Sequence, residues 1–380
     1  MKELTDLLAQ LVEIDSVNPS LVPGGAGELA IARFVAGWLE KAGLETTIEE
    51  IAPGRFNVIA IARGQGQDGG KSRSLLLNAH LDTVGTGNMQ NPLKAEISGG
   101  RLYGRGALDT KGGLAAYMLA AAQAKKLNLP GDIILAAVAD EEFASLGTEA
   151  LVARWQADAA LVAEPTNLEI VSTHKGFVWI EIETFGLAAH GSRPQAGVDA
   201  IAKMGKVLVE IEKLGGKLAL KPPHPLLGTP SIHASLITGG QEWSTYPDRC
   251  HLSVERRTLP GETDAIVKAE IAGIIAGLSE ADPDFKASYK LTFSREPLEV
   301  DPRSPILQSI VAQSNLLTGA ANVVGFSGWT DAALLNAANI PALVFGPKGE
   351  GLHGAIEWVD LESVEKCCEV VLAIAIDFCV

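Results

Sequence analysis

The sequence predicts an α/β protein with a central, mostly parallel sheet between helices, interrupted by an inserted α+β unit of four antiparallel strands and two helices. Three observations predict it. Helical and extended patterns alternate from Ala26 to Ala163. After Lys175 the pattern changes to runs that alternate apolar and polar residues, as half-exposed antiparallel strands do. From Arg303 the alternation of helix and strand resumes, so the first unit is interrupted and then completed. At 380 residues the chain exceeds what one hydrophobic core organises, and its 47% hydrophobic content suffices for two. The expected segments are 1–175 and 295–380 for the first domain and 176–294 for the insert.

In chain order, "MKELTDLLAQLVEIDS" spaces apolar residues at helical intervals among acids, with no basic segment leading into an apolar core, so it does not read as a signal peptide. Ala26–Ala42 is an amphipathic helix stopped by Gly43, and Phe56–Ala62 and Ser74–Ala79 are short β-rich runs. Leu114–Ala124 is an Ala-rich helix, and Asp132–Ala139 and Ala159–Ala163 are buried strands. In the insert, "GFVWIEIETFG" is a strand, Val198–Leu214 a helix, and Ser231–Ile237 and His251–Arg257 are strands. Asp264–Leu278 is the second helix and Ala287–Phe293 the last strand. "PALVFG" adds one more buried strand and Leu361–Ile376 a closing helix.

The formal net charge of −15, with no run of Lys or Arg, argues against a nucleic-acid partner. No apolar run reaches membrane-spanning length. Cys250, Cys367, Cys368 and Cys379 do not form a disulfide framework, which makes a reducing cytoplasm the simplest compartment.

The stretch "LLLNAHLDTV" runs a buried strand into His80 and Asp82. Residues two apart share a face of a strand, so both project together at its carboxyl end, where open α/β sheets place ligands. A carboxylate that accepts one ring N–H fixes the imidazole tautomer and leaves the other nitrogen for a metal. "GRGALDTKGG" sets Asp109 in a glycine-flanked turn, and "AVADEEFASLG" ends a strand in Asp140, Glu141 and Glu142. Three adjacent acids repel one another unless a cation sits among them. "LVAEPTN" ends another strand in Glu164, and "FGPKGEGLHGAIEW" follows a fourth with His353. Imidazoles and carboxylates without a thiolate point to zinc, with cobalt or manganese as substitutes, and so many donors suit a pair of ions about 3.5–4 Å apart. "GRGALD" is no dinucleotide loop, because Asp109 stands where the third glycine would, and "GFSGW" is no nucleophile elbow, because Trp329 replaces its last glycine.

In order, "HLDTV", "GRGALDTKGG", "ADEE", "AEPT", "AAHGSRP", "ERRTLPGET", "GWTDA" and "GPKGEGLHGAIE" resemble the motif series of a family of zinc amidohydrolases and peptidases. That family holds acetylornithine deacetylase, succinyl-diaminopimelate desuccinylase, aminoacylase-1 and glutamate carboxypeptidase, and the resemblance spans essentially the whole chain. It implies a catalytic α/β domain, an inserted lid domain that forms a homodimer, and two Zn2+ per subunit. It further implies that Asp109 bridges the metals, that His80 and Glu164 complete one site, and that Glu142 and His353 complete the other. Asp82 would orient His80, Glu141 would be the general base, and the peptide after Asp109 would be cis. His190 would supply the oxyanion donor from the partner subunit, and Arg257 would clamp the substrate carboxylate, with Arg256 pointing the other way. Where many members carry an asparagine before "YPD", Ser244 or Thr245 stands here, whose hydroxyl donates a hydrogen bond but reaches less far.

The resulting expectation is a cytoplasmic, dimeric hydrolase of N-acyl amino acids, acetylornithine deacetylase-like in the first instance. Desuccinylase, aminoacylase and dipeptidase or carboxypeptidase activities remain open on the same scaffold. A metal-stabilised dimeric binding protein is the rival of another class, and the presence of all five ligands with Glu141 disfavours it.

Overall fold

The computed structural model describes residues 2–66 and 72–380. Helix α1 (Lys2–Glu13) buries Leu4, Leu7, Leu8, Leu11 and Val12, one apolar stripe at helical spacing. Helix α2 (Leu29–Lys41) starts later than its apolar pattern, because Gly27 adopts φ 66°, outside the right-handed helix. Strand β1 (Glu45–Ala52), which sequence reading missed, forms an antiparallel hairpin with β2 (Arg55–Ala62). Most of β1 is exposed or half-exposed, so it lacks the apolar alternation that marks a buried strand.

There follow β3 (Leu75–His80), β4 (Glu96–Ser98), β5 (Arg101–Tyr103), α3 (Gly112–Leu127), β6 (Ile133–Val138), α4 (Leu146–Val152), β7 (Ala159–Val162) and β8 (Ile170–His174). The insert comprises β9 (Gly176–Phe185), α5 (Ala200–Ala219), β10 (Ser231–Gly239), β11 (Arg249–Thr258), α6 (Asp264–Ala281) and β12 (Lys286–Arg295), and β13 (Leu298–Glu299) leads out of it. The chain closes with α7 (Pro305–Thr318), β14 (Val323–Phe326), α8 (Ala332–Ala337), β15 (Ala342–Val344), β16 (Gly349–Glu350), β17 (Trp358–Asp360) and α9 (Leu361–Phe378).

Two compact units result: Met1–Ser172 with Val300–Val324 and Thr330–Val380, and Thr173–Glu299 with Gly325–Trp329. The larger sheet has the order β1-β2-β6-β3-β7-β15-β8-β13, with β14 beside β8. It is mixed. β6, β3, β7 and β15 are mutually parallel, whereas β1 with β2, β2 with β6, β15 with β8 and β8 with β13 pair antiparallel. The parallel centre is buried along its whole length, as residues of β3, β6 and β7 all are. A small sheet, β16-β17-β5-β4, lies beside it in sequence and carries the hairpin loop that holds His353. Cys250, Cys367, Cys368 and Cys379 are all buried thiols, and no helix among the described residues is long and apolar enough to cross a membrane.

In the second unit the antiparallel sheet β10-β11-β9-β12 packs one face on α5 and α6. Val178, Ile180 and Ile182 of β9 meet Met204, Val207 and Ile211 of α5 and Val267 and Ile271 of α6. Helix α5 runs through Gly215 and Gly216 to Ala219, past the expected end at Leu214, because Leu218 continues the buried stripe. Arg256 is wholly buried and bonded to Glu262 (2.9 Å) and Glu270 (3.1 Å), consistent with its expected direction away from Arg257. Burial raises the Glu262 pKa, but hydrogen bonds from Arg256 and Lys221 outweigh it and hold the carboxyl below its usual range. A depressed carboxyl pKa contributes stability that is full above the unfolded pKa of about 4.3 and is lost as pH falls through the folded value. Glu262→Gln is therefore expected to lower the urea midpoint at pH 7 and to flatten its decline between about pH 5 and 3.

Candidate active site

The parallel register brings the chemistry to one edge. His80 pairs across with Val138, and Asn78 with Val162, so β3, β6 and β7 reach their carboxyl ends together. His80, the acids 140–142 and Glu164 emerge there. Asp109 enters from the turn before α3. Gly106 begins that turn at φ 79°, and a Cβ on it would lie 2.7 Å from Thr83 Cγ2, so only glycine fits. The Asp109–Thr110 peptide is cis, as the resemblance implied.

The two oxygens of Asp109 face different imidazoles. Oδ1 lies 3.0 Å from His80 Nε2, and Oδ2 lies 3.4 Å from His353 Nε2. His353 Nε2 is also 3.3 Å from Glu142 Oε2, and His80 Nε2 is 3.9 Å from Glu164 Oε1. Donor atoms of His80, Glu141 and Glu164 lie within 4.8 Å of one another, as do those of His80, Asp109 and Glu142. All five expected ligands and Glu141 therefore converge.

The donor set fits a divalent metal pair. Glu142 Oε1 and Glu164 Oε1 are buried with no hydrogen-bond partner, an arrangement that is costly unless a cation takes them. Protonation follows the same logic. Burial, followed by the charge of Asp109, drives Glu164 well above the usual carboxyl range. Burial and the charge of Glu164 do the same to Glu141. Burial opposes charge on His80, but its hydrogen bond to Asp109 and the surrounding carboxylates raise its pKa well above the ordinary value. Hydrogen bonds to Asp109 and Glu142 lift His353 to about 10. Carboxylates that retain protons and imidazoles that gain them mark a place that calls for positive charge, which metal ions supply as they displace those protons.

Asp82 does something other than expected. His80 Nδ1 bonds to the main-chain carbonyl of Asp82 at 2.8 Å, while the Asp82 carboxylate is 3.7 Å away. That carboxylate accepts the backbone N–H groups of Glu141 (3.2 Å) and Glu142 (3.3 Å) and the amide of Asn18 (2.7 Å). Asn18 donates its other hydrogen to Asp140 (3.0 Å), whose φ of 69° turns the chain sharply. Arg55 ties Asp140 (2.8 Å) to the buried Glu28 (2.5 Å). On the other side, Glu357 accepts from the backbone N–H groups of Gly106, Leu108 and Asp109 and from Arg105 (2.7 Å).

Sequence reading missed Asn18, Arg55 and Glu28, which brace the carboxylates of Asp82 and Asp140, and Glu357, which holds the backbone of Asp109. It also assigned no role to Asp331, a wholly buried carboxylate that burial pushes up to about 6. Thr148 donates to its Oδ2 at 2.6 Å, and its Oδ1 has no hydrogen-bond partner.

The remaining expected residues lie in the second unit. His190 is exposed, and its Nδ1 accepts the Ser192 N–H (3.2 Å), so a neutral ring carries its proton on Nε2. Ser244 is exposed and its carbonyl accepts the Gly191 N–H. Arg257 Nε donates to Glu255 (2.7 Å), and its guanidinium lies 5.3 Å from the Phe177 ring centre.

A sheet edge gathering imidazoles and carboxylates around an unsatisfied demand for cations defines a metal-dependent hydrolase. Residues 76–377 match the model of peptidase family M20/M25/M40, and the chain belongs to that family, whose members cleave amide bonds. It is 28% identical to an N-formyl-4-amino-5-aminomethyl-2-methylpyrimidine deformylase of Bacillus subtilis, covering 100% of this chain and 96% of that protein. It is 29% identical to an acetylornithine deacetylase of Myxococcus xanthus, covering 99% and 96%. Aminopeptidase PepT from Bacillus cereus shares the fold, with a TM-score of 0.82 at 20% identity over 99% of this chain and 98% of that one.

Removing one partner of a buried ion pair costs about 3–5 kcal/mol. Arg55→Leu, which strands Glu28 and Asp140, is expected to lower unfolding stability by about that amount in urea titrations.

Proposed function

We propose that the protein is a di-zinc amidohydrolase that removes the acyl group of N-acyl amino acids, with N-acetylornithine the first substrate to assay. The observation that carries this reading is the convergence of His80, Asp109, Glu142, Glu164 and His353 around carboxylate oxygens left buried and unpaired. The named deacetylase and deformylase relatives support hydrolysis of a small acyl amide. Desuccinylase and peptidase activities use the same constellation and differ in the groups that recognise substrate.

Asp109 would span two ions, His80 and Glu164 holding one and Glu142 and His353 the other, with cobalt or manganese as workable substitutes. When bound, the pair supplies Lewis acidity that polarises the amide carbonyl and acidifies water. Glu141, whose carboxyl is not needed as a ligand, accepts the proton of the attacking water and returns it to the leaving nitrogen. Asp82 acts at one remove: by gripping the N–H groups of residues 141 and 142 it lets the two adjacent side chains diverge, one to ligate and one to move protons. In the second unit, His190 offers an Nε2 proton to the developing oxyanion, Arg257 pairs with the substrate carboxylate, and Ser244 stands near His190 as a further donor.

We assign the working form as a cytoplasmic homodimer joined through the second unit, each His190 serving its partner's site. The exposed apolar residues Leu236 (69%), Ile237 (51%) and Trp243 (104%) support that surface as an interface.

Zinc- or cobalt-loaded Glu141→Ala is expected to lose turnover of N-acetylornithine and other N-acyl amino acids by at least about a thousandfold while keeping its metal content, measured by atomic absorption. Retained activity would remove Glu141 from its role. Mixing the inactive Glu141→Ala and His190→Ala proteins is expected to restore about a quarter of wild-type activity, because half the dimers then carry one complete site. No recovery after verified subunit exchange would place His190 in its own subunit's site.

A further inference from the structure

A cavity of about 440 Å³ opens within the first unit beside the small sheet, inside the range of about 300–1,000 Å³ typical of small-molecule sites. Met89 and Lys94 line it from the segment before β4, Glu96 from β4, Tyr103 from β5, and Ile356 and Glu357 from the loop between β16 and β17. None of the metal-donor residues borders it, so it is a separate cavity.

The lining has two kinds of surface. Lys94 and Glu96 are exposed, carry opposite charges two residues apart, and form no ion pair with each other or with any other described residue. The Tyr103 hydroxyl likewise has no hydrogen-bond partner among the described residues. Met89 and Ile356, the latter 69% exposed, add apolar surface. A compact head that carries both an ammonium and a carboxylate matches the two charges, and an apolar side chain matches Met89 and Ile356. A free α-amino acid has all three features. An N-acyl amino acid lacks the ammonium and leaves Glu96 unmatched, so the cavity favours the product of deacylation over its substrate.

One wall of the cavity is fastened to the metal-donor cluster. Glu357, next to Ile356, accepts the N–H groups of Leu108 (2.9 Å) and Asp109 (3.1 Å). Its carbonyl accepts the Gly104 N–H (3.2 Å), and Arg105 spans the Glu357 carboxylate (2.7 Å) and the Gly354 carbonyl (2.9 Å). An occupant that presses on Ile356 therefore moves the backbone that presents Asp109. Asp109 already reaches both imidazoles, so displacement loosens that grip, and a shift of about 1 Å at reacting groups can cost about a hundredfold in rate.

We propose that this cavity is a regulatory site for a free α-amino acid with an apolar side chain, its occupancy passed through Glu357 to Asp109. Binding stands on the cavity alone, whereas the regulatory role rests on the amidohydrolase reading.

Calorimetric titration of the metal-loaded, full-length protein with L-leucine, L-leucinamide and 4-methylpentanoate tests the site. L-Leucine is expected to bind about fivefold more tightly than leucinamide, which lacks the carboxylate, or 4-methylpentanoate, which lacks the ammonium. Lys94→Ala is expected to weaken leucine about fivefold and leucinamide little, and Glu96→Ala to weaken leucine about fivefold and 4-methylpentanoate little. No leucine binding, or binding that neither substitution changes, overturns the site. In steady-state kinetics on N-acetyl-L-ornithine, L-leucine at a concentration that saturates the wild type is expected to lower its kcat about fivefold. The Lys94→Ala/Glu96→Ala double variant, whose activity without leucine matches the wild type, is expected not to respond. Unaltered kcat in the wild type, or a fall that persists in the double variant, overturns the regulation. If the wild type cleaves no N-acyl amino acid, the hydrolase reading fails and the titration alone decides the site.

Discussion

Like charge confined to a small buried volume is the constraint on which this structure turns. Asp82, Asp109, Asp140, Glu164 and Asp331 are buried or nearly so around one sheet edge, with Glu141 and Glu142 among them. An isolated buried carboxylate is far too costly to keep, so each must be neutralised, hydrogen-bonded or shared with a cation. The chain uses all three means. Arg55 and Asn18 serve Asp140 and Asp82, backbone N–H groups serve Asp82, and the two imidazoles serve Asp109. Among the buried carboxylate oxygens left without a hydrogen bond, those of Glu142 and Glu164 belong to the donor clusters, and those of Asp140 and Asp331 lie outside them.

Much of this was legible in the sequence, and the reason is geometric. A parallel strand that ends in a charged residue announces both its own direction and the edge to which it delivers that residue, so His80, the acids 140–142 and Glu164 could be placed from local pattern alone. The same pattern singled out Asp109 and His353, but the division of labour among these residues, Glu142 from Glu141 above all, needed the motif series. Asn18, Arg55, Glu28 and Glu357 were illegible for a different reason. Their partners lie far away in sequence, as Asn18 and Asp140 do, and a hydrogen bond between distant segments leaves no local signature. Asp82 shows the limit within a single motif: the residue was found, but its carboxylate serves the backbone of residues 141 and 142 while its carbonyl serves His80.

The fold shows the same division. The buried centre of the large sheet follows from apolar runs, whereas its antiparallel flanks, including the exposed β1, depend on pairing choices that the runs do not encode. In the second unit, apolar alternation foretold the strands, and the wholly buried Arg256 shows that a charged residue on an inward position can be kept when two carboxylates receive it. The cluster of imidazoles and carboxylates is thus built wholly within one unit.

Glu357 has an implication for how this family can vary. It lies on the same hairpin as His353 and grips the main chain that presents Asp109, so two segments remote in the gene share one fastening. An insertion or deletion between His353 and Glu357 would separate His353 from Asp109 and loosen the main chain that presents Asp109 at once. That short interval should accept changes of residue type more readily than changes of length, whereas the exposed strand β1 is open to changes of residue type that the buried β2, which carries Arg55, is not.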